Sequence, residues 1–374
     1  MLRSSRLLRL AIPAILAVTL AGACSSSKSS SSTTTAAAGA GASTTAAASP
    51  STAAAAKATG TLNGSGSTFQ ASYDQVAIQN FQTANSGATV NYQGKGSGAG
   101  QTDLANHVVD FAGSDVPVSA STLSTFKGAS LLYFPIILGP ITVSYNVSGV
   151  SSLKLSAPTI AKIFSLQITN WNDPAIAADG NTGLPNLAIT VVHRSDSSGT
   201  TANFTAYLKS ADPTDWTLGS GKTVNWGGNT VAGNGSNGVA TDVKGKNGAI
   251  GYVDYSDAKA AGLVWAQVKN SAGNFVAATL DGASASAADA TVNADLTYKP
   301  INQAGAQDYP ITSPTYIITY AKYSDAGKVA LLKAFLSYIL GSDGQGAAKG
   351  VDFAPLPSSL DQKALAQVGT ITSD

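Results

Sequence analysis

Val191-Val192-His193-Arg194-Ser195-Asp196-Ser197-Ser198-Gly199-Thr200-Thr201 passes from an apolar run through a cluster of small hydroxyl residues into a stretch where Phe204, Tyr207 and Leu208 share one helical face. That order reads as strand, short loop and helix start, and it occurs twice upstream. Thr61-Leu62-Asn63 runs into Gly64-Ser65-Gly66-Ser67-Thr68-Phe69, followed by Tyr73, Val76, Ala77 and Phe81 at helical spacing. Ala88 to Gln93 runs into Gly94-Lys95-Gly96-Ser97-Gly98-Ala99-Gly100 and a short helix expected to contain Leu104 and Val108. Short apolar runs alternating with amphipathic ones predict an α/β fold in which strands feed helices.

A helix N-terminus presents unpaired N–H groups and partial positive charge, so each junction is a ready anion site, with Ser and Thr adding hydroxyl donors. Any one of them is equally explained by helix capping and tight turns. Three in one chain favour a shared oxyanion, and one of the three holds Arg194. Arginine presents a planar fork suited to oxyanions; its plainer reading here is a salt bridge with Asp196. Phe111-Ala112-Gly113-Ser114-Asp115 reads as a strand ending in a carboxylate, ahead of Pro117 and a helix from about Ser119. Asp115 is either a turn residue or a specificity element. A carboxylate in an anion pocket accepts from a ligand that keeps an O–H, as phosphate does near neutral pH, and repels sulfate, which has none.

The composition narrows the classes. The chain has 374 residues and 11% charged residues, against about 25% in typical soluble proteins. At roughly 150 residues per domain it should hold two domains. All 21 acidic residues are Asp, and three of the four arginines (Arg3, Arg6, Arg9) precede residue 10, leaving Arg194 alone downstream. Nothing in this balance marks a nucleic-acid binder. Two His and one Cys are too few for an imidazole- or thiolate-rich metal site, and no metal or cofactor is expected. A hydrolase would need a nucleophile and a base, yet there is no Glu and no Gly-x-Ser-x-Gly elbow. His107 falls in an expected helix. A secreted phosphoesterase pairing Ser198 with His193 is the alternative from another class. Gly219-Ser220-Gly221-Lys222-Thr223 ends like a phosphate-binding P-loop, but Trp216 stands where its leading glycine belongs, so it reads as a turn.

Residues Leu62 to Leu356 resemble the substrate-binding proteins of high-affinity phosphate ABC importers. The likeness rests on Gly64 to Phe69, Val90-Asn91-Tyr92-Gln93-Gly94-Lys95-Gly96-Ser97-Gly98, Val109 to Asp115, Ile168-Thr169-Asn170-Trp171-Asn172-Asp173-Pro174, Val191 to Thr201, and Gly248-Ala249-Ile250-Gly251-Tyr252-Val253. It implies a bilobed periplasmic-binding-protein-like fold, two α/β lobes joined by two crossing segments at Pro135 to Tyr145 and Tyr309 to Tyr320. Both segments also read independently as buried strands. One lobe would comprise 60–139 with 312–374 and the other 140–311. The resemblance further implies phosphate contacts from Thr68, Phe69 (N–H), Ser97, Asp115, Arg194, Ser198, Gly199 (N–H) and Thr200, with Asp196 orienting Arg194. The chain would be a monomer, no enzyme itself, working with a membrane permease and its ATPase; another protonated tetrahedral oxyanion such as arsenate is a further alternative. Two departures are Gln70-Ala71-Ser72, where the family has proline after the Phe, and Asn237, where Glu is common.

The first 24 residues have a basic start, an apolar run from Leu10 to Leu20 and Ala21-Gly22-Ala23 before Cys24, the layout of an export signal too short to span a bilayer. The sole cysteine in that place resembles a bacterial lipoprotein signal, with Leu20 four rather than three positions before it. Lipidation of Cys24 would hold the protein at the outer face of the cytoplasmic membrane; cleavage near Ala23 leaving a free thiol is the alternative. Loss of 1–23 removes three arginines and turns the formal charge from +1 to −2. Ser25 to Thr59 is nearly all Ser, Thr and Ala, too poor in bulky apolar groups to fold, and is expected to be a tether with a reach of about 30 Å.

Overall fold

The structure, a computed structural model, describes residues 57–374. The signal, Cys24 and most of the tether lie outside the described residues. The last tether position, Thr59, already belongs to a strand, so the ordered chain starts slightly earlier than its composition implies.

Strands and helices alternate from there: β1 (Thr59–Gly66), α1 (Ala71–Ala84), β2 (Gly87–Gly94), α2 (Ser97–Ala105) and β3 (Phe111–Ser114). A long β4 (Leu131–Asn146) follows, then β5 (Thr190–Arg194), α3 (Gly199–Ala211), β6 (Val231–Gly233), α4 (Gly235–Gly245), β7 (Ala249–Asp254), β8 (Thr312–Tyr320) and α5 (Ala326–Ile339). The nine-stranded sheet runs β2-β1-β3-β8-β4-β7-β5-β6, with the short strand Val264–Trp265 also paired to β4. β1 is parallel to β2 and β3, and β5 is parallel to β6 and β7. Each parallel set aims the C-terminal ends of its strands, and so its loops, in one direction, where ligand sites of open α/β sheets gather.

β4 and β8 join the two sets. From Leu131 to Pro140 β4 pairs antiparallel with β8, and from Ile141 onward it pairs with β7. Pro140, which has no N–H to give a ladder, sits where the partner changes. All nine residues of β8 are buried, as are β4 residues 133–145, which accounts for their continuous apolar reading. The β4–β8 register slips between Thr315 and Tyr316; such a bulge re-aims side chains. Phe81 of α1 meets Phe335 of α5 edge-on at 5.2 Å.

The expected helix through Val108 stops at Ala105. His107 follows it at φ 55° and stacks on Tyr320 at 5.1 Å, while Val108 is 64% exposed. A left-handed residue cannot continue a right-handed helix, and a single apolar residue one turn on did not signal that break. The second crossing segment likewise begins its strand at Thr312, not Tyr309.

Candidate oxyanion site

The three junctions read from sequence meet. At the end of β1, Ser67 donates to Asp115 Oδ1 at 2.5 Å and its oxygen accepts the Phe69 N–H at 3.0 Å. At the start of α2, Ser97 Oγ lies 3.3 Å from Asp115 Oδ2 and accepts the Asp115 N–H at 3.1 Å. Thr315, at the β8 slip, is 2.8 Å from Asp115 Oδ1. Asp115 is 2% exposed. Burial pushes its carboxyl up to about 6 against the pull of Ser67, Thr315 and Arg194.

From the other side comes Arg194, 5% exposed at the end of β5. Its Nε and Nη2 donate to Asp196 at 2.7 and 2.5 Å, and Nη1 donates to Thr200 Oγ1 at 3.3 Å and Ser236 Oγ at 3.2 Å. Asp196 also accepts the Gly235 N–H at 3.1 Å, so the carboxylate fixes the plane of the guanidinium. The Arg194 N–H donates to the Tyr252 hydroxyl at 3.0 Å, and that hydroxyl lies 2.6 Å from Thr201 Oγ1. Tyr252 stacks on Phe204 at 4.5 Å, which ties the apolar face of α3 to β7, the parallel neighbour of the strand that carries the arginine.

The two sides interlock. Ser197 accepts the Gly98 N–H at 2.9 Å, and Thr68 Oγ1 lies 3.1 Å from Ser236 Oγ. Asn203 Nδ2 donates to the Asp115 carbonyl at 2.9 Å. Gly199 approaches so closely that a methyl group built on it would collide with Ser97 and Asp115. Thr68, Ser97, Asp115, Arg194, Gly199 and Thr200 therefore stand in one cluster. Ser198 is buried at its edge, where its oxygen caps α3 by accepting the Thr201 N–H at 3.1 Å.

The structure adds residues that the sequence left unmarked. Ser236 belongs to Val231-Ala232-Gly233-Asn234-Gly235-Ser236, a fourth strand, small loop and helix start of the same kind, with Gly235 at φ 67°. Ser67 lies within a motif already singled out. Asn203 and Thr315 had no local signal, and Gln70 stood out only as a departure from the family pattern, because their roles arise from packing between distant segments. The Gly219 to Thr223 segment is irregular chain that bends at Gly221 to Thr223; the Lys222 carbonyl accepts the Ser198 N–H at 2.9 Å and its Nζ donates to Gln101 Oε1. Asn237 lines a 430 Å³ cavity beside the cluster, with Thr68, Ser72, Gln75, Ser236 and Asp257.

The Ser198–His193 pairing needed for a phosphoesterase does not form. His193 Nδ1 is bonded to the Arg194 carbonyl at 2.9 Å and Nε2 to Thr230 Oγ1 at 3.0 Å, with its ring stacked on Trp226. Burial also lowers its pKa.

A family model described as a PBP superfamily domain matches residues 51–343. Phosphate-binding protein PstS 3 of Mycobacterium tuberculosis (strain ATCC 25618 / H37Rv) is 38% identical over 325 residues, 83% of this chain and 86% of that protein. Phosphate-binding protein PstS of Pasteurella multocida (strain Pm70) is 37% identical over 318 residues, 82% of this chain and 89% of that one. Among solved structures, the high affinity periplasmic phosphate-binding protein PfluDING, bound with phosphate at pH 8.5, superposes with a TM-score of 0.67 at 28% identity, covering 82% of this chain and 94% of that one. The ancestral soluble variant of the Human Phosphate Binding Protein shares the fold, with a TM-score of 0.68 at 24% identity over 82% of this chain and 94% of that one. The fold is the bilobed α/β fold of these proteins, and the chain belongs to the PBP superfamily and, within it, to the PstS phosphate-binding protein family.

Proposed function

We propose that this chain binds inorganic phosphate between its lobes and delivers it to the membrane permease of an ABC importer. The observation that carries this reading is the pairing of a buried carboxylate, Asp115, with a buried arginine, Arg194, across facing clusters of hydroxyls and helix N-termini. Such a pocket supplies donors for bare phosphate oxygens and one acceptor for the ligand's proton. Thr68, Phe69, Ser97, Asp115, Arg194, Ser198, Gly199 and Thr200 are the proposed contacts, and Ser236 joins them because it shares Arg194 Nη1 with Thr200. On binding, phosphate oxygens replace those two hydroxyls as acceptors for the guanidinium, while Asp196 holds its far edge.

The lobes in this reading are 60–139 with 312–374, and 140–311, which agrees with the change of β4 partner after Pro140. Contacts drawn from both lobes make phosphate prefer the closed form, and a ligand shifts an equilibrium only by such a preference. The permease and its ATPase then act on the closed, loaded protein. The chain performs no chemistry itself, works as a monomer, and is held at the outer face of the cytoplasmic membrane through Cys24. Titration of anion-stripped protein with phosphate, alongside a phosphomonoester turnover assay, tests the reading. Saturation at one phosphate per chain without turnover is expected; turnover abolished by Ser198→Ala would replace this reading with an enzyme.

A further inference from the structure

Asp74 lies in the first turn of α1, four residues after Gln70, and is 2% exposed. Gln70 Nε2 is 2.9 Å from Asp74 Oδ2, Thr315 Oγ1 is 2.7 Å from Gln70 Oε1, and the same Thr315 Oγ1 is 2.8 Å from Asp115 Oδ1. Gln70 and Thr315 are both fully buried. A continuous line of hydrogen-bonding groups thus joins a second carboxyl to Asp115.

Two proton arrangements along this line differ in what Asp115 receives. A hydroxyl carries one hydrogen, so Thr315 donates to Gln70 or to Asp115, not to both. With Asp74 ionised, Gln70 gives its N–H to Asp74 and takes the Thr315 proton on Oε1, and Asp115 loses that donor. With Asp74 neutral, the Gln70 amide turns over, an exchange of two ends with the same shape. Asp74 O–H then donates to Gln70 Oε1, Gln70 Nε2 donates to Thr315 Oγ1, and Thr315 is free to donate to Asp115 Oδ1.

Resting on the phosphate reading of the site, we propose that neutral Asp74 is a positioning residue for phosphate, acting through Gln70 and Thr315 to hold Asp115 as an ionised acceptor. Thr315 and Ser67 together tie down Oδ1, which leaves Oδ2, beside Ser97, to take the ligand's proton. When Asp74 ionises, that hold is halved and an uncompensated negative charge is added behind the anion site. No covalent step is involved; the proton leaves to water through a 650 Å³ cavity at the α1–β2 face lined by Asp74, Gln75, Gln79, Asn91 and Tyr92.

The surroundings favour the neutral form. Burial raises the Asp74 pKa to about 8, with the Gln70 bond pulling it down and Asp115 pushing it up. The ionisable groups acting with it are Asp115 along the line, Tyr73 on its own helix and Tyr92 on β2, all of them acids. Among the described residues no ion pair reaches Asp74. It is therefore protonated at pH 7 and ionised well above pH 8.

The experiment is phosphate Kd by calorimetry at pH 7 and pH 9 for the full chain, Asp74→Asn and Gln70→Leu. Phosphate's own ionisation is common to all three and cancels on comparison. The unaltered chain should weaken about tenfold between the two pH values, the scale of one hydrogen bond to a charged group. Asp74→Asn, which cannot ionise and still donates to Gln70, should weaken less than about twofold over the same span. Gln70→Leu removes the acceptor that competes for the Thr315 proton and the bond that pulls the Asp74 pKa down, so it should bind within about twofold of the unaltered chain at pH 7 and show the same small pH change, and it decides the matter alone if Asp74→Asn does not fold. Parallel pH profiles in all three would overturn the relay and leave Asp74 a packing residue. Absence of phosphate binding by the unaltered chain at pH 7 would instead overturn the phosphate reading and the relay with it.

Discussion

Replacing Gly199 with alanine separates closure from ligand contact. Gly199 is the first residue of α3, and a methyl group there would lie 2.6 Å from Asp115 Oδ2 and 2.7 Å from Asp115 Cβ, and closer still to Ser97 Oγ. All three atoms come from the opposite side of the cluster, from the residue that follows β3 and from α2. Forcing one extra methyl into a closed, packed contact costs roughly 1–3 kcal/mol. Opening the cleft relieves that strain, so the penalty falls on the closed, phosphate-loaded form and not on the folding of either lobe. At 1.4 kcal/mol per tenfold, phosphate Kd should rise about 5- to 150-fold. The same substitution does not strain the helix itself, because the Gly199 backbone is not left-handed and alanine is the better helix former. Gly199→Ala should therefore melt at or slightly above the unaltered chain without phosphate, while binding phosphate more weakly. Calorimetry and a ligand-free melt measure the two effects. Undiminished phosphate affinity in a folded Gly199→Ala protein would refute closure of these loops onto each other.

Two further perturbations bear on the charged pair. Arg194→Lys keeps one charge but loses the planar fork to Asp196 and the paired Nη1 contacts to Thr200 and Ser236; loss of a charge-assisted hydrogen bond predicts a phosphate Kd raised by about 10- to 100-fold, and an unchanged Kd in calorimetry would remove the arginine from the site. Asp115, raised from 3.8 to about 6 by burial, favours the neutral acid in the folded chain, so its stabilising contribution is complete below 3.8 and is lost as pH rises through about 6. At pH 7 the ionised group costs about 3 kcal/mol, so Asp115→Asn should melt higher than the unaltered chain without phosphate while binding phosphate worse. A lower melting temperature would contradict that sign.

Much of this was legible locally. The strands at Thr61, Ala88, Phe111 and Val191 were readable because each is a short apolar run ending in small residues, and the helical faces of α1 and α3 because Tyr73, Ala77 and Phe81, and Phe204, Tyr207 and Leu208, recur at helical spacing and are buried. The meeting of the three loops followed from their shared chemistry. Ser236 obeys the same grammar, but its strand has only three residues, too short for a period to register. Gln70 and Thr315 lay out of reach for a different reason. They are 245 positions apart, and their contact depends on the register of β8 against β4, a tertiary fact without a sequence period. Helix α2 was overextended because Val108 falls at helical spacing from Leu104, whereas the left-handed backbone at His107 ends the pattern.

On the proposed reading, Asp115 makes this an acceptor-containing pocket selective for an anion that still carries a proton. Competition of sulfate against bound phosphate at pH 8, read by calorimetry on the anion-stripped chain, tests it most directly. Saturable phosphate binding that about a hundredfold excess of sulfate leaves undisturbed is expected, because sulfate would set a bare oxygen against a buried carboxylate without a proton between them. Displacement of phosphate by equimolar sulfate would contradict it.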